Sequence, residues 1–432
     1  MDYSLQNKIN RRLNQLKRDG VKFISGTIAP AESCVDTPSI EPVFKAIDYY
    51  ESKGADLTLS VQIKWMGSRG SMYLFNGRLE DSFVVTRGGF KIGYGSDRLD
   101  DSKNFFKHWY NKIFKDKAMD RAVEVILDGE IMPWNAIGDG LIQRQFVGYS
   151  MAVHSEIDFL KEHGFDGVVT NTMNEIRANY YDLDEADRKK HPRRETFELT
   201  KNILDQYCSV EQSNCIDDFD RQLSNFNSPE KPYFVGFDIL RVKYDNGTVM
   251  VDSGWMASHV VKYNLLRKMW PAAAKKKIKG LMESLVSESA SSSEDNISLK
   301  DIFEIGLPVS EPDTQEQIED LMFIVGKHGF EGVMIKPEFP MDTDAVHAMK
   351  VRHPEYLRLI YGHDYTIESN LIPLIQKKRT AKKRKLSHNE YRLGIQMLKL
   401  DEDSSTYEED FERIAKKILF DIEEESTVDS RL

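Results

Sequence analysis

Cysteine is scarce in this 432-residue chain. Its three cysteines, Cys34, Cys208 and Cys215, are too few and too scattered for a disulfide framework. None belongs to a Cys-x-x-Cys pair, which argues against a zinc site. Long apolar runs are missing too, and none approaches the roughly 20 residues of a membrane span. The opening MDYSLQNKINRRLNQLKRDG has no apolar signal core. These absences point to a cytoplasmic protein with no membrane partner. Positive charge is not in excess: 59 basic and 70 acidic side chains leave a net charge of −11, which argues against bulk coating of nucleic acid. The ten histidines do not cluster, so none is assigned as a catalytic base, and no internal repeat is visible.

What remains is an ordinary globular composition, 40% hydrophobic and 30% charged, in a chain long enough for two or three domains. Residues 1–20 read as an amphipathic helix. Residues 55–95 are β-rich, Asp101–Met119 helical, and Val123–Trp134 an apolar strand ending in acidic groups. Leu141–His163, Glu195–Tyr207 and Ala257–Val286 read as helices; Pro232–Val242 and Gly329–Pro337 read as strands. From Pro354 the text is helical. The predicted fold is α+β: an N-terminal segment (1–50), a body of antiparallel sheets with helices (51–353) and a helical C-terminal domain (354–432).

Charge is uneven. Lys377–Lys385 (KKRTAKKRK) holds seven basic residues in nine, while acids gather in Ser287–Asp295 and Asp401–Glu425. The basic run is either a solvated helix face or a local patch for phosphate chains. The serine-rich acidic run reads as an exposed low-complexity loop.

Four strand-like segments carry charges amid apolar residues: Lys64 in IKWMGSRG, Asp128 and Glu130 in ILDGEIMPW, Glu331 and Lys336 in EGVMIKP, and Lys350 and Arg352 in AMKVRHPEYL. A buried strand excludes charge unless the charge is paired or used. Four such segments predict one polar cleft with cations and carboxylates, which suits a nucleoside triphosphate and a divalent metal. In general a lysine ammonium has no lone pair at neutral pH, but beside other cations and partly desolvated it becomes a nucleophile. Such an amine can attack an α-phosphate and hold the nucleotidyl group. Gly67, three residues after Lys64, would let the backbone turn tightly and approach the nucleotide.

The ordered set Lys-x-x-Gly, Asp-Gly-Glu, Phe-Asp-Ile-Leu, Glu-Gly-Val-Met-Ile-Lys and Lys-Val-Arg resembles the covalent nucleotidyltransferase superfamily of DNA ligases, RNA ligases and capping guanylyltransferases. From about Asp56 to Leu398 the chain is most similar to the ligase domain of bacterial polynucleotide kinase–phosphatase RNA-repair enzymes. The Gly-x-x-x-x-Gly-Lys-Ser/Thr and metallophosphatase signatures of those enzymes are not present.

The resemblance implies an ATP-dependent RNA ligase with its nucleotidyltransferase core. Lys64 matches the adenylated lysine. Arg69 would contact nucleotide or RNA phosphate, Glu130 a ribose or a metal, and Glu331 a metal near the α-phosphate. Lys336, Lys350 and Arg352 would hold the triphosphate, with Arg87 as a further candidate. Phe237 would stack on adenine or sit in the core, and Gln62 would reach the adenine edge or lie on the strand surface. The implied cofactors are ATP and Mg2+ or Mn2+. The implied partners are RNA with 5′-phosphate and 3′-hydroxyl ends, such as a broken tRNA, and a separate end-healing kinase or phosphatase. A DNA ligase or capping enzyme shares this core, but usually carries a small β-barrel after the last motif and Lys-x-Asp-Gly at the lysine; here the text after Arg352 is helical, and Trp65 and Met66 fill the gap. The remaining alternative is an inactive nucleotide- or RNA-binding module.

Overall fold

A computed structural model describes residues 3–137, 142–225, 230–289, 303–304, 306–341, 344–377 and 380–428. Most of the serine-rich acidic run lies outside them, as do Lys378 and Arg379 of the basic run.

Two antiparallel-rich sheets form the body. The first contains β1 (Ala29–Pro30), β2 (Thr58–Lys64), β9 (Leu307–Pro308), β10 (Gly332–Pro337) and β11 (Met349–Arg352), in the order β1-β11-β10-β2-β9. The second contains β3 (Ser68–Phe75), β4 (Phe83–Thr86), β5 (Lys91–Gly93), β6 (Ala122–Met132), β7 (Tyr233–Tyr244) and β8 (Val249–Met250), in the order β5-β4-β3-β6-β7-β8. Consecutive strands β2 and β3 are therefore not a paired hairpin. The turn at 65–67 carries the chain out of one sheet and into the other.

Branched and aromatic residues drive these strands by packing into one core. Val61, Ile63, Val333 and Ile335 from the first sheet meet Leu74, Leu127 and Phe234 from the second. Helices α3 (Ser102–Ile113), α9 (His259–Met269), α10 (Ala272–Ser289) and α11 (Thr314–Lys327) cover that core with Trp109, Tyr263, Leu281 and Leu321. The predicted single helix over 257–286 is two helices. Pro271 lacks the N–H a helix interior needs, so α9 ends at Met269 and α10 begins at Ala272.

A second core lies on the other face of the six-stranded sheet. There α1 (Tyr3–Arg18) packs Ile9, Leu13 and Leu16 with Leu393 of α14 (Thr380–Leu398) and with Phe411 and Ile418 of α15 (Tyr407–Val428), against Tyr73, Phe83 and Ile126. The first fifty residues thus contribute a helix to this core and β1 to the other sheet. A third cluster joins α4 (Gly148–Glu162), α8 (Ser209–Ser224) and α12 (Pro354–Tyr361) through Ile157, Phe219 and Leu359. Neither α8 nor α11 is among the helices expected from the sequence: in α8 the apolar residues are interleaved with acids, and in α11 they bunch into Leu321–Val325, a run that fits a short strand as readily as a helix. No strand follows Arg352 among the described residues. No helix among them is long and apolar enough to cross a membrane.

Candidate active site

Strand register places the charges. Side chains on adjacent strands at paired positions share a face, and alternate residues return to it. Gly332 pairs with both Lys64 and Arg352, so these three form one row across β2, β10 and β11. Met334 pairs with Gln62 and Lys350 and forms the next row. Lys336 pairs with Ser60 and forms the third. At roughly 3.3 Å per residue, Lys336 is rooted about 13 Å along the strand from the Lys64 row, and Lys350 only about 7 Å.

Lys64 ends β2 with its Nζ in an ion pair with Glu331, which precedes β10. The two residues between Lys64 and Gly67 are anchors. Trp65 meets the rings of Trp270 and Phe330 edge-on, with centroids 5.3 and 5.0 Å away. Met66 packs into the α4–α8–α12 cluster. Gly67 is needed for closeness rather than for a left-handed turn. A Cβ there would lie 2.4 Å from Met132 Sδ, 2.6 Å from the Ile131 carbonyl and 2.8 Å from Glu130 Cγ. Its N–H donates to Glu130 Oε1 at 3.1 Å, which orients that carboxylate. Gly332 is tighter still: its φ is +146°, and a Cβ would meet the Val351 carbonyl at 2.2 Å.

The six-stranded sheet supplies the opposite wall. Arg69 on β3 pairs in register with Glu130 on β6, and its guanidinium holds the Asp128 carboxylate at 2.7 and 3.2 Å. Between the walls lies a cavity of 80 Å³ bounded by Gln62, Lys64, Arg69, Glu130, Phe237 and Lys336, closed at one end by His347 and Tyr391. The Gln62 amide nitrogen and the His347 Nδ1 are buried there without a hydrogen-bond partner among the described residues. Phe237 faces this cavity, half-buried, with the Lys336 ammonium 5.7 Å from its ring centre.

Burial shapes the electrostatics. It lifts the Glu130 carboxyl to about 7, with Glu331 adding to the effect against the opposing pull of Lys64. It also lowers the Lys350 ammonium to about 7, helped by the Arg352 and Lys64 charges. Two carboxylates, Glu130 and Glu331, therefore crowd one lysine at a desolvated spot, the surroundings that a divalent cation relieves. No group of three or more metal-ligating side chains occurs among the described residues. Two carboxylates plus substrate phosphates and water is the donor set that Mg2+ or Mn2+ accepts.

Lys336, expected at the triphosphate, lines the cavity and is at the same time tied into a buried cluster around Asp238. The Asp238 carboxylate takes Lys262 Nζ at 2.6 Å, Lys336 Nζ at 3.2 Å and His259 Nδ1 at 3.1 Å. Burial works against ionisation of Asp238, but Lys262, Lys336 and His259 outweigh it and hold the carboxyl well below its usual range. Arg352, also expected at the triphosphate, is clamped by Glu41, which meets its guanidinium with both oxygens and its backbone N–H at 3.2 Å. Arg87 lies elsewhere. It lines a small cavity with Arg12 and Phe23, under α1, and is not among the residues bounding the cavity at Lys64.

Sequence reasoning gives no role to Lys262, Glu41 or Tyr391, nor to Asp238 although it lies in the Phe-Asp-Ile-Leu motif, and His347, beside the last motif, reads there as structural. Lys262 had a visible signal: with His259, Tyr263 and Leu266 it occupies one face of α9, and that face is buried. The others depend on contacts between distant segments.

The profile of the PNKP adenylyltransferase, ligase domain family matches residues 16–226 and 288–416. No curated protein matches the chain. Among solved structures, one chain of a Pnkp1/Rnl/Hen1 complex is similar with a TM-score of 0.70 at 22% identity, with both chains covered completely. A chain in a structure of the Pnkp1/Rnl/Hen1 RNA repair complex is similar with a TM-score of 0.66 at 21% identity, again over all of both chains. At these identities the likeness establishes the fold.

Proposed function

The chain belongs to the PNKP adenylyltransferase, ligase domain family, and from that premise we propose that it is an ATP-dependent RNA ligase that joins a 5′-phosphate end to a 3′-hydroxyl end, with AMP released. The observation that carries this reading is Lys64, fixed at a strand end between Trp65 and the Glu331 carboxylate, with Glu130 and Lys350 around it.

Lys64 Nζ attacks the α-phosphorus of ATP, the bond to the β-phosphate oxygen breaks, and pyrophosphate leaves. Glu331 orients the amine and is its nearest proton acceptor. The anchored Trp65–Met66 turn removes the conformational freedom that would otherwise be lost on reaction. Lys350 faces the phosphates from the adjacent row and stabilises charge there. Glu130 and Glu331 would hold Mg2+ or Mn2+, which neutralises charge on the phosphates. The cavity behind accepts the base: Gln62 and His347 offer buried polar atoms, and Phe237 and Tyr391 offer ring faces. A 5′-phosphate oxygen of RNA then attacks the AMP phosphorus and Lys64 leaves. Finally a 3′-hydroxyl attacks the activated end and AMP departs.

The similar solved structures are of complexes named Pnkp1/Rnl/Hen1, which supports a separate end-healing kinase or phosphatase as partner. The test is a sealing assay with ATP and metal on broken RNA and on DNA of the same sequence. The proposal expects RNA joined only when the ends are 5′-phosphate and 3′-hydroxyl. Joining of DNA alone, or nucleotide transfer to a 5′-diphosphate end, would overturn it in favour of a DNA ligase or a capping enzyme.

A further inference from the structure

We propose that Lys382, Lys383 and Lys385, in the first turns of α14, dock the phosphodiester backbone of a single RNA strand and lead it to Lys64. The end point rests on the ligase reading; the surface rests on position and charge.

The chain is acidic overall, yet α14 opens with four cations in a row, Lys382 to Lys385, and no acid in its first turn. Cations at a helix N-terminus oppose the helix dipole, so this arrangement works against the stability of α14. Lys382 and Lys385 are exposed and have no acidic partner within 4 Å among the described residues. Spaced three apart, they share one helix face. Arg384 does the anchoring: it reaches Glu32 at 3.2 Å and covers the Tyr49 ring at 5.4 Å.

That anchor fixes where the cations sit. Glu32 follows Ala31, whose N–H donates to the Lys350 carbonyl at 3.0 Å, so α14 starts beside β11. The Lys383 charge is felt at Lys350, and Lys350 occupies the row next to Lys64. Exposed Lys382 and Lys385, half-buried Lys383, Lys350 and Lys64 thus form one cationic track from solvent to the nucleophile. The track is a single line of charge, which matches one strand rather than a duplex. The leaving pyrophosphate of ATP shares this phosphate chemistry, so the experiment must separate the two.

The test uses the full chain with Lys382→Gln, Lys383→Gln and Lys385→Gln together, and a control with Lys275→Gln, Lys276→Gln and Lys279→Gln on α10. A labelled, 5′-phosphorylated single-stranded RNA is titrated by fluorescence anisotropy over a series of salt concentrations. In parallel, transfer of label from ATP to the chain is followed. The expected result is an RNA Kd at least about tenfold weaker and a salt slope smaller by about 2, at ~0.7 for each phosphate that a lysine no longer neutralises. ATP labelling and the control's RNA binding should match wild type. Unchanged Kd and slope would overturn the proposal. So would lost ATP labelling with RNA binding intact, which would assign the surface to the triphosphate. If the triple variant fails to fold, Lys385→Gln alone, at an exposed position, must lower the slope by about 0.7. Wild-type chain that takes no label defeats the ligase reading, while the anisotropy arm still decides the track.

Discussion

Tyr391 of α14 lies flat on His347, with ring centroids 3.8 Å apart and planes 3° apart. The pair is the wall between the 80 Å³ cavity at Lys64 and a neighbouring open cavity of 540 Å³. A helix from the C-terminal part of the chain therefore finishes the compartment that the two sheets begin. Removing the ring should let a bound base slip toward the larger space. An aromatic pair contributes about 0.5–1.5 kcal/mol beyond its buried area. Tyr391→Ala should raise the KM for ATP about three- to tenfold in lysine adenylation, with the maximal rate little changed. Tyr391→Phe should behave as wild type.

Gly67 permits contact between the nucleophile turn and β6. In Gly67→Ala the new methyl meets the Ile131 carbonyl and Glu130 Cγ, neither of which is a free side-chain end. The N–H that orients Glu130 must shift with it. Adenylation should fall by about two orders of magnitude, in line with a misplacement near 1 Å. The same variant should unfold at lower temperature than wild type.

Asp238 depends on two lysines at once. Lys262→Met should cost about 3 kcal/mol in denaturant unfolding, because it leaves a buried carboxylate short of a cation. It should also draw Lys336 more fully to Asp238 and weaken nucleotide binding. Adding Asp238→Asn should recover part of the lost stability, since no charge then needs the missing partner. A double variant less stable than the sum of the two single effects would refute this coupling.

Glu130 gives a pH test. Its carboxyl is raised from the ordinary range to about 7 by burial, so the folded chain holds a proton there that the unfolded chain has released. Stability from this group therefore falls as pH rises from about 4.5 through 7. Glu130→Gln should stabilise the nucleotide-free protein at pH 8, by roughly 3 kcal/mol, and the gain should vanish near pH 5. The same variant should lose adenylation. Lys350 shifts the other way: lowered to about 7, its buried charge costs stability below that pH and ceases to do so as pH rises toward 10.5.

Much of this was legible in the sequence because local chemistry forced it. Runs such as LTLSVQI and PYFVGFDIL have the branched and aromatic residues of buried strands, and they are β2 and β7. Lysine and glutamate inside such runs are expensive unless used, which is why Lys64, Glu130, Glu331 and Lys350 stood out, and the structure brings these four together. What escaped was set by tertiary contact. Register, invisible in one strand alone, puts Lys336 two rows from Lys64. The Glu41 clamp on Arg352 joins residues more than 300 apart. The placement of Arg87 follows from α1 packing across its strand, and nothing in VVTRGG announces that helix.

The most direct test of the account is intact-mass and peptide-level mass spectrometry of the chain after pyrophosphate treatment and incubation with ATP and metal. The account predicts one added AMP on wild type, located on Lys64, removed again by pyrophosphate and not formed in Lys64→Ala. No added AMP on wild type, or AMP on another residue that persists in Lys64→Ala, would contradict it.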